Sequence, residues 1–149
     1  MKDNQYAKLR ERQQSEFNNL PLGFAFSDEQ FQKMMKGWGL NPERDLDKIT
    51  RIPYGGFIQK KDVELYRETL KRHEQELFEA IASDETGAGF ICDMFDYELG
   101  NHEYTYTWDI TDAVEAAGFT IEDVQKDERL MNGLSLACKS QREWLEKNG

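Results

Sequence analysis

The sequence predicts one mainly helical α+β domain over residues 1–149, with an antiparallel αα-hairpin and a small β-hairpin. Several long stretches repeat apolar side chains every three or four residues, which is the spacing of an amphipathic helix, whereas β-type segments are few and short. The 3 Trp, 6 Tyr and 9 Phe supply enough large side chains for a hydrophobic core at this length. We expect residues 1–19 to form an N-terminal helical arm and residues 20–149 to form the globular core.

The first third of the chain contains two helical segments and the predicted β-hairpin. Residues 4–18 are strong helix formers, but their apolar stripe is broken, so this helix buries little of its surface. Ser27, followed three residues later by Gln, is a capping-box pattern that predicts a helix ending near Lys36. The apolar segments Ile49–Ile52 and Phe57–Gln59 flank a turn that contains two glycines, which is typical of a β-hairpin.

Two helices in the middle of the chain are predicted to form the αα-hairpin. Asp62 is a suitable N-cap for a helix over residues 63–83. The apolar stripe of this helix consists of Val63, Tyr66, Leu70, His73, Leu77 and Ile81. A turn over residues 83–89 leads to a second helix over residues 90–99. Because the connection is short, we expect the two helices to pack antiparallel.

The last third of the chain is predicted to be one short strand followed by helices. The segment Tyr104–Trp108 alternates aromatic and polar residues, as a strand does. Asp109 or Thr111 then caps a short helix, and Thr120 with an Asp three residues later starts another helical turn. Asp127 opens a final helix that ends near residue 147.

Composition argues against several classes of function. A net charge of −10 opposes direct binding to a nucleic-acid backbone or an anionic membrane surface. No apolar run reaches the roughly 18 residues that span a bilayer, and the first residues lack the apolar segment of a signal peptide. Cys92 and Cys138 are isolated and are expected to be small buried hydrophobes. We therefore expect a cytoplasmic protein. The sequence contains no glycine-rich nucleotide-binding motif, so we expect no cofactor.

Acidic side chains are concentrated in one stretch of the chain. From His73 through Gln125 there is no Lys or Arg, and this stretch holds 14 carboxylates. Such a stretch is typical of a solvated surface, of an acidic face that docks a basic protein, or of a divalent-cation site. The leading functional hypothesis is a non-enzymatic interaction protein that binds a basic protein through this acidic face. Mimicry of DNA is one form that such binding can take. The expected partner-binding residues are Asp93, Asp96, Glu98, Glu103 and Tyr104.

A metal-dependent hydrolase or ligand-binding enzyme is the alternative hypothesis. In a helical hairpin that turns near residue 85, His73 lies level with Glu98, and His102 follows one turn later. Two imidazoles and a carboxylate are ligands that Fe, Mn or Zn accept. The sequence contains no HExxH and no paired ExxH motif, however. Each histidine also has a structural explanation, since His73 lies in an apolar stripe and His102 follows a pair of helix-ending residues.

Three short segments carry a resemblance to a known group of proteins. They are Phe24–Phe31 (FAFSDEQF), Gly55–Asp62 (GGFIQKKD) and, most specifically, Met94–Tyr104 (MFDYELGNHEY). With these segments the chain resembles a family of small uncharacterised proteins associated with phages and conjugative elements of gut Firmicutes, over roughly residues 20–138. The resemblance implies an accessory protein of a mobile element. Because the family has no established activity, it assigns no functional residues.

Overall fold

The computed structural model describes residues 3–149, and within this range the chain forms eight α-helices and one three-stranded antiparallel sheet. The predicted class, α+β and mainly helical, is confirmed. Contacts divide the chain into two compact units, which we describe separately. The first unit comprises the residues up to Gln14 together with Gln75–Gly149, and the second comprises Ser15–Glu74. The boundaries fall inside two helices, α1 (Gln5–Asn18) and α3 (Val63–Ala82).

The second unit contains the sheet. Its strands are β1 (Leu22–Phe24), β2 (Ile49–Ile52) and β3 (Gly56–Gln59), with β3 in the centre and both neighbours antiparallel to it. The predicted β-hairpin is therefore confirmed as β2–β3. Its turn places Tyr54 and Gly55 at φ 65° and φ 78°, which are the left-handed conformations that a tight hairpin turn requires. Strand β1 is not among the predicted elements, because it has only three residues and depends on β3 for its pairing.

Helix α2 (Asp28–Gly37) packs against β1. The Ser27 hydroxyl accepts a hydrogen bond from the Gln30 N–H at 3.2 Å, as the capping-box pattern predicts. The Gln30 side chain accepts from the Phe26 N–H at 2.8 Å, one residue before the expected donor. A Cβ at Gly23 would contact the Met34 side chain of α2, which would have to shift to make room for it.

The first unit is built around α4 (Phe90–Asn101). Its most extensive packing is with α8 (Glu128–Asn148), whereas the sequence predicts α3 as its neighbour. The last turns of α3 reach the same core through Leu77 and Ile81. The fully buried side chains of this core are Tyr6, Ile91, Met94, Phe95, Leu99, Ala113, Val114 and Ala137. Cys92 and Cys138, expected to be buried, are half-buried.

The turn between α3 and α4 is held by Asp84. Its carboxylate accepts hydrogen bonds at 2.9–3.3 Å from four backbone N–H groups, those of Thr86, Gly87, Gly89 and Ile91. Burial raises the pKa of Asp84, but these four hydrogen bonds outweigh it and hold the pKa below its usual value. The Arg129 guanidinium donates to the carbonyls of Ile81 and Asp84, so the turn is tied to the start of α8.

Three short helices separate α4 from α8. They are α5 (Tyr104–Thr107), α6 (Thr111–Ala116) and α7 (Ile121–Lys126). The predicted strand over Tyr104–Trp108 is wrong, because this segment forms a helical turn closed by a hydrogen bond from the Trp108 N–H to the Tyr104 carbonyl at 2.7 Å. A strand would need a partner for its backbone groups, and a helical turn satisfies them internally.

The predicted starts of α7 and α8 are confirmed, whereas that of α6 differs. Thr120 and Asp123 form a capping box, and the Asp127 carboxylate accepts from the N–H groups of Arg129 and Leu130. Asp109 accepts from the Thr111 N–H at 2.8 Å, but the residue at the cap position of α6 is Ile110. Among residues 3–149, no helix is both long and apolar enough to cross a bilayer.

Candidate functional site

Asp93, the first residue of the predicted acidic face, is buried and caps α1. Its carboxylate accepts a hydrogen bond from the Gln5 N–H at 2.9 Å, and its backbone carbonyl accepts from the Asn4 amide at 2.8 Å. A carboxylate at the first turn of a helix satisfies an otherwise unpaired N–H group and interacts favourably with the helix dipole. Asp93 therefore serves to hold the start of α1 against α4.

Glu98 is also buried, with 6% of its surface exposed. Its carboxylate accepts a hydrogen bond at 3.1 Å from the hydroxyl of Tyr6. Burial, and then the negative charge of Glu98, raise the pKa of Tyr6 far above its usual value, so the phenol is a permanent donor to this carboxylate. The Tyr6 ring packs edge-on against Phe90 and Tyr97, with centroids 5.9 and 5.5 Å away. Tyr6 is not among the predicted site residues, because 92 positions separate it from Glu98 in the sequence.

Asp96 and Tyr104 are likewise engaged inside the first unit. The Gln141 amide of α8 donates to the Asp96 carboxylate at 2.9 Å and to its backbone carbonyl at 3.2 Å. Tyr104 is buried, and its ring packs edge-on against Trp108 at a centroid distance of 5.4 Å. Burial and a hydrogen bond with Cys138 raise the pKa of Tyr104. Both residues therefore help to fix α4 and α5 against α8.

Glu103 is the exposed carboxylate of the predicted set. It lies between α4 and α5 with φ 55°, a left-handed conformation, and Trp108 at the other end of α5 has φ 57°. Among residues 3–149, no side chain forms an ion pair or hydrogen bond with the Glu103 carboxylate. Of the five residues predicted to bind a partner, Glu103 is thus the one with a fully available charged group.

The three residues of the alternative metal site have separate partners. The His73 imidazole, in the second unit, lies 3.4 Å from the Glu16 carboxylate. His102 Nδ1 lies 2.7 Å from the backbone carbonyl of Glu98, which is the helix-end role that its position in the sequence suggests. The Glu98 carboxylate accepts from Tyr6. Within the described part of the chain, no group of three or more His, Cys, Asp or Glu residues is arranged to hold a metal ion.

The acidity of the chain belongs entirely to the first unit. By sequence, the second unit carries 10 Lys and Arg against 10 Asp and Glu, so it is neutral. The first unit carries 9 Lys and Arg against 19 Asp and Glu, which accounts for the whole net charge of −10. We call residues 103–123 the acidic segment, and its exposed carboxylates are Glu103, Asp109, Asp112, Glu115, Glu122 and Asp123.

Part of the acidic segment is neutralised or used for capping. Glu122 pairs with Lys126 at 2.7 Å, and Asp109 and Asp123 accept backbone hydrogen bonds at helix starts. Glu103, Asp112 and Glu115 have no ion-pair partner in the described residues, and all three are exposed. The first unit therefore presents uncompensated negative charge between α4 and α7.

An aromatic cleft adjoins Glu103. It has a volume of about 480 Å³ and lies between α5 and the end of α8. Its walls include Glu103, Tyr106, Gln141, Trp144 and Leu145. Tyr106 and Trp144 are 85% and 58% exposed, so both present aromatic surface to solvent. On the predicted strand Tyr106 would share a face with Tyr104, but in the observed helical turn Tyr104 is buried and Tyr106 is exposed.

The chain is similar to the members of a protein family. No curated protein and no solved structure matches it. A family model matches residues 5–140, a range that includes α4, the acidic segment and most of α8. The family is described as one of unknown function, so it shows a small uncharacterised domain and assigns no activity. On this match, the chain belongs to the family of unknown function DUF7659.

Proposed function

We propose that the chain is a non-enzymatic interaction protein that binds a basic protein through the acidic segment of its first unit. The observation that carries the proposal is the separation of charge described above. All of the net charge of −10 lies in one unit, and Glu103, Asp112 and Glu115 remain exposed and unneutralised there. Uncompensated charge on one surface steers a partner of opposite sign and favours its docking.

The residues of the proposed surface differ from those that the sequence indicates. Asp93 and Glu98 are buried and hydrogen-bonded to α1, so they contribute to the fold rather than to an exposed surface. Glu103 belongs to both sets. The nearby carboxylates Asp112 and Glu115 replace the buried ones, because both are exposed in α6.

The resemblance to proteins of phages and conjugative elements suggests what kind of basic protein to look for. An accessory protein of such an element acts in the cytoplasm on a protein of the element or of its host. Proteins that bind nucleic acids are commonly basic, since they neutralise phosphates with Lys and Arg. If the partner belongs to that class, the acidic segment acts as a mimic of DNA.

Binding of a fluorescently labelled, arginine-rich peptide tests the proposal. We expect fluorescence anisotropy to show binding at about 0.05 M salt that weakens at least tenfold at about 0.5 M, where exposed charges are screened over a few ångströms. A triple variant, Glu103→Gln with Asp112→Asn and Glu115→Gln, should weaken the binding at low salt several-fold, because it removes three carboxylates from the acidic segment.

A matched triple variant in the neutral second unit controls for net charge. Glu43→Gln with Asp47→Asn and Glu68→Gln also removes three exposed carboxylates. We expect this variant to bind the peptide like the unmodified protein. Equal weakening in both triple variants would mean that total charge, and not the acidic segment, attracts the peptide, and the proposal would then be wrong.

A further inference from the structure

We infer that the aromatic cleft between α5 and the end of α8 receives a cationic side chain, arginine or lysine, of the basic partner. This inference rests on the proposed function and specifies where one residue of the partner is held. The cleft lies entirely within the first unit, the unit that carries the negative charge. Its volume of about 480 Å³ is within the range of small-ligand sites and accommodates a long side chain with part of its backbone.

The walls of the cleft combine the groups that recognise an organic cation. Tyr106 and Trp144 present exposed aromatic surface, and the face of an aromatic ring attracts a cation. Glu103 is the one charged side chain among the described residues that line the cleft. Its carboxylate has no cationic partner in residues 3–149. A guanidinium or ammonium group would supply this partner and contact the rings at the same time.

The same arrangement disfavours other occupants. A purely apolar side chain could contact the two rings, but it would leave the Glu103 carboxylate without a partner. An anionic group would be repelled by Glu103 and by the rest of the acidic segment. Cationic side chains are therefore the class that suits both the aromatic and the acidic parts of the cleft.

The cleft also has a fixed wall. The Gln141 side chain of α8, which lines the cleft, donates two hydrogen bonds to Asp96 of α4. This contact holds α8 in register with α4, so Trp144 is presented by a helix that is already anchored. A preorganised site loses less conformational entropy when a side chain enters it.

The test uses the same arginine-rich peptide and variants that leave the charge unchanged. Tyr106→Leu and Trp144→Leu each remove one aromatic ring from the cleft, and we expect each to weaken peptide binding by roughly 3- to 30-fold. Phe78→Leu is the matched control, since Phe78 is 71% exposed, lies in the first unit and does not line the cleft. It should leave the affinity unchanged.

A second readout locates the contact directly. In an NMR titration with the peptide, the indole N–H signal of Trp144 should shift more than those of Trp38 and Trp108, the other two indoles. Because Tyr106 is 85% exposed, its replacement leaves the core intact, and circular dichroism of each variant checks this.

The outcomes separate this inference from the proposed function. Salt-sensitive binding that is equally strong in Tyr106→Leu, Trp144→Leu and the unmodified protein would overturn the cleft assignment and leave the acidic segment as the binding surface. Absence of peptide binding at low salt would overturn both. Weakening in the two cleft variants but not in Phe78→Leu, together with a Trp144 shift and with weakening in the triple variant of the acidic segment, would support both.

Discussion

Replacing Gly133 by alanine tests how closely α4 and α8 approach each other. An alanine Cβ at this position would lie 2.5 Å from Ile91 Cγ2, 2.7 Å from the Gly87 carbonyl oxygen and 3.2 Å from the Cys92 nitrogen. Two of these three neighbours are backbone atoms, which do not move aside by changing rotamer. The two helices would therefore have to separate or shift at the most extensive contact of the first unit.

The expected magnitude follows from two opposing terms. Alanine is favoured over glycine inside a helix by about 1 kcal/mol. Overpacking a tight contact costs about 1–3 kcal/mol, and backbone neighbours place Gly133→Ala at the upper end of this range. We expect a net loss of about 1–2 kcal/mol in the free energy of unfolding, which lowers Tm by roughly 3–6 °C for a chain of this size.

Gly100→Ala is the matched control, because Gly100 is also inside a helix of the first unit. Its nearest neighbour for a new Cβ is the Gln141 amide nitrogen at 3.7 Å, an ordinary contact. Urea denaturation followed by circular dichroism should show Gly100→Ala to be as stable as the unmodified protein or more stable by up to about 1 kcal/mol. If Gly133→Ala is stabilised to the same extent, the proposed close packing of α4 on α8 is refuted.

Three further predictions concern the stability of the first unit. Tyr6→Phe removes the hydroxyl that donates to buried Glu98 and should lower the free energy of unfolding, measured with urea, by about 1–3 kcal/mol. The double variant Tyr6→Phe with Glu98→Gln should lose less than the sum of the two single variants, and a loss equal to that sum would contradict the pairing. The pKa of Asp84 is lowered in the fold, so its contribution is present above about pH 4 and is lost as pH falls through the folded pKa. Asp84→Asn should therefore lower the free energy of unfolding by about 1–3 kcal/mol at pH 7. Below about pH 4 the free energies of unfolding of the variant and the unmodified protein should become more similar, and a difference that does not change with pH would refute this prediction. Gly87→Ala should lower stability by at least about 2 kcal/mol, because Gly87 has φ 89° and a Cβ would lie 2.0 Å from the Arg129 carbonyl oxygen; normal thermal unfolding would show that the turn tolerates a side chain.

Local signals in the sequence predicted the helix starts well. The caps at Ser27, Thr120 and Asp127 are observed because a cap joins residues that are two or three positions apart. The hairpin β2–β3 was predictable for the same reason, since its turn is short and contains Gly55 at a left-handed position. Patterns confined to a few residues thus determine these elements.

The candidate site was harder to predict because its contacts are distant in the chain. Whether a carboxylate on α4 is buried depends on donors such as Tyr6 and Gln141, which no local pattern connects to Glu98 and Asp96. Composition identified the acidic stretch of the chain, but it did not distinguish carboxylates that hold the fold from those that face solvent. Glu103 belongs to the second kind because it lies at the junction of two helices rather than on the inward side of one.

The alternation of aromatic and polar residues around Tyr104 illustrates a related ambiguity. The same residues fit either structure. On a strand Tyr104 and Tyr106 would share a face, whereas on a helical turn they point in different directions. The second unit contains the sheet, and no described strand lies in the first unit to pair with this segment. Tertiary structure therefore selects the helical turn and, with it, the exposed position of Tyr106.

The two residues that flank α5, Glu103 and Trp108, have left-handed backbone conformations that lower stability, and Glu103 also lines the aromatic cleft. A non-glycine residue in this conformation costs about 1–2 kcal/mol relative to a conformation that suits it, and glycine would relieve most of that cost. The chain nevertheless has a glutamate at φ 55° and a tryptophan at φ 57°. A stabilised version of this protein, with Glu103→Gly, would gain in folding and lose the carboxylate of the aromatic cleft. At position 103, the substitution that increases the stability of the fold should therefore weaken the binding of a basic partner.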